Sequence, residues 1–167
     1  MILDGALERG FTDMILINED KNVPHHLVHI HLPEGPTAYY KLSSIKYRKQ
    51  LPGSSTPTNH FPELILTNFN TRLGHSLGRM LASLFPKAPD FEGRRVVTFH
   101  NQRDFIFFRH HRYIFESAKE ARLQECGPRF TMKLEKLQEG IFDPRNAEFQ
   151  WVSKPREQGK QKKHQHL

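Results

Sequence analysis

The chain has 167 residues, 37% hydrophobic and 26% charged, with a net charge of +7 and a pI near 9.7. That length suffices for one domain with a core, and the positive balance points to an anionic partner. No apolar run reaches membrane-spanning length, the single cysteine (Cys126) excludes an intrachain disulfide or a cysteine-based zinc site, and no signal peptide opens the chain; a cytosolic or nuclear protein is expected.

Residues 1–10 read as the end of a helix, with Ile2, Leu3, Ala6 and Leu7 on one face and Gly10 as its cap. A domain rarely starts on the last turns of a helix, so the N-terminus reads as cut short. Strands are expected at Asp13–Asn18 and Leu27–Leu32, with a turn at Asn22–His26 between them. In the second strand Val28, Ile30 and Leu32 share one face, and His29 and His31 the other. Pro33–Pro36 turns the chain into a strand over Thr37–Tyr47. Residues 51–62, rich in Pro, Ser and Thr, read as a loop or linker.

Glu63–Asn68 is a short apolar strand, and Asn70 or Thr71 caps a helix over Arg72–Phe85. Leu73, Leu77, Leu81 and Leu84 supply its buried stripe, Gly74 and Gly78 permit close packing, and Arg72, His75 and Arg79 fall on another face. Arg94–His100 and Asp104–Phe115 form a hairpin around residues 101–103. Gly127–Leu137 alternates Phe130, Met132 and Leu134 inward with Arg129, Thr131, Lys133 and Glu135 outward. Phe142, Phe149 and Trp151 are expected at the domain's edge, and a basic, disordered tail over 153–167.

The stretch 93–115 carries the strongest signal. It holds five arginines, three histidines and six aromatics against one acid, Asp104. Arginine neutralises phosphate and flat rings stack on bases, so the mixture suits nucleic acid. The candidates for RNA contact are Arg94, Arg95, Arg103, Arg109 and Arg112, with His111 and Tyr113 as stacking residues and Phe105, Phe107 and Phe108 as core. Arg72 and Arg79 form a second candidate row near a helix N-terminus. A solvated arginine edge, or a solvent face above leucines, explains the same residues without a ligand. His25, His26, His29, His31 and His60 match no zinc spacing, so no metal and no cofactor is expected. No phosphate loop, dinucleotide fingerprint, nucleophile elbow or HExxH is present, so a non-catalytic role is expected.

The segments 35–44, 62–86, 93–115 and 127–143 resemble the Brix-domain family. The resemblance implies an α/β (α+β) fold of duplicated half-units like the anticodon-binding domain of some aminoacyl-tRNA synthetases. It implies an incomplete first half over 1–50, a loop over 51–62 and a second half over 63–152. It also implies a nucleolar factor of the nucleus that binds precursor ribosomal RNA during large-subunit assembly and rRNA processing, alongside pre-ribosomal proteins and assembly factors. No membrane and no small-molecule substrate enter that reading. A protein-interaction scaffold with incidental RNA contact, and a truncated non-functional duplicate, are the alternatives.

Overall fold

A computed structural model describes residues 2–117, 120–143, 145–154 and 167; most of the expected basic tail lies outside the described residues. Helices and strands mix as expected, in two compact units: one takes the chain up to Leu42 and again from Lys133, the other Ser43–Met132 together with Leu167. The units are drawn differently from the sequence segments. Residues 51–62 lie inside the second unit, and the chain after 132, Leu167 aside, joins the first.

The first unit opens with helix α1, Ile2–Glu8. Gly10 ends it with a left-handed φ of 70°. Its amide donates to the Leu7 carbonyl, and that of Phe11 donates to Ala6, the paired bonds of a Schellman cap. Ala6, with Leu3 and Leu7, packs on Ile30 and Leu32, joined by Met14, Val28 and Ile141. Ile2, expected on that face, is instead 81% exposed.

Strand β1, Asp13–Asp20, pairs antiparallel with β2, Val23–His31. The expected turn at Asn22–His26 shrinks to Lys21 and Asn22, both at positive φ. Two such residues reverse a hairpin on their own, which leaves residues 23–26 for the ladder. Pro24 is accommodated because the register shifts opposite it, between Asn18 and Glu19. Strand β3, Thr37–Lys46, continues the sheet beside β2. Gly35, at φ 96°, lies so close to Gly140 that a Cβ would sit 2.2 Å from its carbonyl carbon. The Thr37 hydroxyl donates to that same Gly140 carbonyl at 3.0 Å. These contacts fix the start of the 141–148 loop against β3.

In the second unit, strand β4 (Glu63–Thr67) runs parallel to β5 (Arg95–Gln102), connected through helix α2 (Arg72–Ser83). The Thr71 side chain caps α2 by accepting from the Gly74 amide. Leu77 and Leu81 are buried as expected, and Met80 joins them, while Leu73 and Leu84 are only half-buried. Gly74 lets the helix approach the Phe69 backbone, which a Cβ would meet at 3.1–3.2 Å.

Strand β6, Phe105–Phe115, returns antiparallel to β5. Its turn is Arg103–Asp104, both at positive φ, in place of the expected 101–103. Asn101 belongs to the strand and is buried, exchanging side-chain-to-carbonyl bonds with Asn68 at 2.9 and 3.2 Å. Strand β7, Ala121–Glu125, pairs with the far half of β6. Strand β8, Arg129–Gln138, follows, and β9, Phe149–Val152, pairs with its end in the first unit. Neither β7 nor β9 is announced by its sequence. In β8, Phe130, Met132 and Leu134 face inward, yet Thr131, expected to face solvent, is buried as well.

The expected linker is fastened down. Leu51 is buried, the Ser55 amide donates to the Glu125 carbonyl, and the Ser55 hydroxyl lies 3.1 Å from the buried Cys126 sulfur.

Candidate nucleic-acid interface

Strand alternation sorts the β6 side chains onto two faces. On one, Phe108 meets Phe99 edge-on at 5.2 Å and stacks on Phe130 at 4.5 Å. Phe99 in turn meets Phe85, just past α2, at 6.0 Å. Helix α2 therefore covers the side that carries Ile106, Phe108, His110 and Arg112. The opposite face carries Phe105, Phe107, Arg109, His111, Tyr113 and Phe115.

This opposite face is half-open. Phe105 is 40% exposed and Phe107 is half-buried. Phe108, also half-buried, packs between the Phe99 and Phe130 rings; Phe105 and Phe107 were expected in the core as well. Alternation groups the rings correctly; the helix chooses one face to bury, and these two lie on the other. The Arg109 guanidinium stands 5.7 Å from the Phe107 ring centre and donates to the Phe108 carbonyl at 2.7 Å. Burial, then the neighbouring Arg129, lowers the Arg109 pKa, while Glu125 opposes the shift. His111 is likewise lowered, mainly by burial. Tyr113 donates its hydroxyl to Glu63, and that bond is the chief cause of its raised pKa. Its ring meets Phe115 edge-on at 5.3 Å.

The remaining candidates do not converge there. Arg95 points to the helix side and inward: it donates to the carbonyls of Thr58 and His60 and to the His110 imidazole at 3.2 Å. Its Nη1 donors hold the 51–62 loop, and its Nε donor is spent on His110. Arg112 lies opposite Arg95 in the ladder, on the same face, and is half-buried. Arg94 is exposed just before β5, with a left-handed φ of 46°. Arg103 is exposed in the hairpin turn, at one end of the open face. Arg72 and Arg79 are exposed on α2, whose buried side meets the sheet near Leu66, so they lie on the outer surface of the helix. The expected hairpin patch thus divides into an open sheet face and a basic pair on the helix side, and the second expected row, Arg72 and Arg79, lies apart on the surface of α2.

Sequence reasoning missed Arg129 and Glu125 on the open face. They pair at 3.3 Å, and the charge of each reaches Arg109. The signal for Arg129 was the outward alternation of β8, which placed it on the wet side without naming its neighbours; Glu125, at the end of β7, had none.

Three histidines of the first unit have protein partners. His29 and His31 both donate to Asp13 Oδ1, at 2.9 and 2.8 Å, and His26 lies 3.6 Å from Glu135. In the second unit His60, Asp90 and Glu92 bring one ligand-type atom each within 4.8 Å of the others. His60 thus joins two acids near the short 3-10 helix Phe91–Gly93, rather than the histidines of β2.

Residues 3–136 match the Brix domain. The chain is 56% identical over 167 residues to Ribosome production factor 1 of Mus musculus, covering 99% of this chain and 48% of that protein. It is 53% identical over 162 residues to Ribosome production factor 1 of Saccharomyces cerevisiae, covering 97% of this chain and 53% of that one. The chain spans about half the length of the curated relatives it matches. Among solved structures it is similar to the crystal structure of a probable ribosomal biogenesis protein from Aeropyrum pernix K1, with 8% identity, a TM-score of 0.49, and coverage of 79% of this chain and 73% of that one. The domain match over most of the chain, together with these identities, establishes that the chain belongs to the Brix-domain family.

Proposed function

We propose that this chain is a non-catalytic RNA-binding factor of ribosome biogenesis. In this reading it holds precursor ribosomal RNA in the nucleolus during large-subunit assembly and rRNA processing, among pre-ribosomal proteins and other assembly factors. The observation that carries it is the open face of β6. Arg109, beside Arg129, supplies the charge for phosphate, and Phe105, Phe107, His111 and Tyr113 supply flat rings in the same row. Alternate residues on a strand stand about 6.7 Å apart, roughly twice the 3.4 Å rise of stacked bases. The row therefore suits splayed bases of an unpaired segment better than a duplex. Arg103 and Arg94 extend the charge at the two ends, and Arg72 and Arg79 offer a second, sequence-blind phosphate surface.

Crosslinking of the tagged chain to RNA in cells, with sites mapped on both molecules, tests this. Crosslinks to precursor rRNA at 105–113 are expected; a chain that crosslinks to no RNA would overturn the reading.

A second reading has its own observation. Ile114, Phe115 and Leu123 are 57–65% exposed where β6 pairs with β7. Such a patch suits a protein partner, so the alternative is a scaffold that contacts RNA incidentally. Protein capture that survives nuclease and is lost in Phe115→Ser with Leu123→Ser favours it.

A further inference from the structure

The first unit holds a second place with the same chemistry, away from the hairpin. A cavity of about 480 Å³ is lined by Tyr39 of β3, Lys136 of β8, Phe149 of β9, and Phe142, Asp143 and Arg145 of the 141–148 loop. Three rings and two cations meet around one acid there. That volume falls in the range of small-molecule sites.

Each wall has a reason to stay in place. The Tyr39 hydroxyl donates to Gln138 Oε1 at 2.7 Å, and Gln138 Nε2 donates to the Ile141 carbonyl at 2.9 Å. This chain of bonds ties β3 to β8 and to the start of the loop. Tyr39 and Phe142 lie with ring centres 6.3 Å apart. The Asp143 carboxylate accepts from the backbone amides of Arg145 and Asn146 at 2.8 and 3.2 Å. Its charge is thus occupied in shaping the loop, and those bonds hold its pKa below the usual carboxylate value. The Lys136 ammonium rides 5.4 Å from the centre of the Phe149 ring. Phe142 and Phe149 nevertheless leave part of their rings open to solvent, at 38% and 42% exposed.

We propose that this cavity takes a single flipped-out nucleotide of an RNA strand. The base lies against the phenylalanine rings, and its phosphate meets Lys136 and Arg145. Rings with a cation beside them suit a flat, electron-rich base joined to an anion. A duplex offers no free base face, so the occupant is an unpaired residue. The inference rests on the RNA-binding reading above but concerns a different surface, so the two can fail separately.

Two measurements test it. Titration of the chain with adenosine monophosphate, followed by NMR, is expected to shift the ring resonances of Tyr39, Phe142 and Phe149; no shift at millimolar nucleotide overturns the proposal. Second, Phe149→Leu and Arg145→Glu are each expected to weaken binding of a single-stranded oligoribonucleotide by about tenfold, with duplex RNA unaffected. Phe149→Leu keeps an apolar side chain, and Arg145→Glu changes only an exposed residue, so both should retain the native unfolding midpoint. Wild-type affinity in both variants overturns the nucleotide site alone if Arg109→Glu still weakens binding. Failure of the unaltered chain to bind any RNA overturns the parent reading too. Loss of a protein partner, with RNA affinity unchanged, assigns the cavity to protein and overturns the proposal.

Discussion

Tyr113 on β6 donates its hydroxyl to Glu63 on β4, reaching across β5 on the open face of the sheet. The bond anchors the Tyr113 ring on that face, and it places a second carboxylate there besides Glu125. Removing the charge with Glu63→Gln should lower the Tyr113 pKa towards its ordinary value, readable by spectroscopic titration. Tyr113→Phe should cost about 1 kcal/mol of stability and leave RNA stacking intact. Tyr113→Leu should weaken single-strand binding instead.

Arg95 and Arg109 should separate cleanly. Arg95→Met leaves the Thr58 and His60 carbonyls without their donor. The expected loss is about 2 kcal/mol or more, since bonds to a charged group are at stake. Chemical denaturation of the variant measures it. Arg109→Glu should weaken RNA binding more than it destabilises the fold. Arg109→Ala should lower the salt slope for single strands by about 0.7 if its guanidinium meets one phosphate. Affinity measured across a salt series gives that slope.

Stability should fall in mild acid. His110 donates from Nδ1 to the Gly127 carbonyl at 3.0 Å and accepts at Nε2 from Arg95. A proton added at Nε2 would face the guanidinium and break that bond. Burial first, and Arg95 among the further causes, hold the His110 pKa below 6.5. His29 is also lowered, by burial against the opposing pull of Asp13. In the unfolded chain both titrate near 6.5, so between that pH and the lower folded values the unfolded state binds more protons. Their contribution is present above about pH 6.5 and declines as the pH falls towards the folded pKa values. Denaturant midpoints at neutral and mildly acidic pH should differ, and His110→Gln should reduce the difference.

Gly35→Ala should be among the most damaging single changes in the first unit. The added carbon would overlap the Gly140 backbone, and the φ of 96° disfavours any side chain. A loss of at least about 2 kcal/mol is expected from thermal unfolding. Gly53→Ala, at φ 70° but with no atom within 4 Å of the added carbon, should cost less.

The sequence makes the β5–β6 hairpin and α2 legible because strong local rules coincide there: alternation over eleven residues of β6, and a threonine cap before a leucine stripe. The turn lies later than expected because Asn101 has turn-forming chemistry, while its long-range exchange with Asn68 keeps it in the strand. Strand β7 lacks β-branched residues and has four exposed side chains among five, so only pairing with β6 reveals it. Alternation told which rings share a face. It could not tell which face α2 would cover, and that decided the exposure of Phe105 and Phe107. The grip of Arg95 on the loop is invisible to the sequence for a related reason: its partners are backbone carbonyls 35 and 37 residues away, which no local pattern encodes.

The 51–62 segment has the composition of a hinge, yet it is stitched at Leu51, Ser55, Thr58 and His60. A protease offered the folded protein would find little slack there, because proteolytic nicking needs a stretch that can peel away. Insertions should be tolerated only within the short spans between stitches. Evolution can therefore lengthen this strap without loosening the carbonyls that Arg95 grips, but it cannot readily turn the strap into a joint.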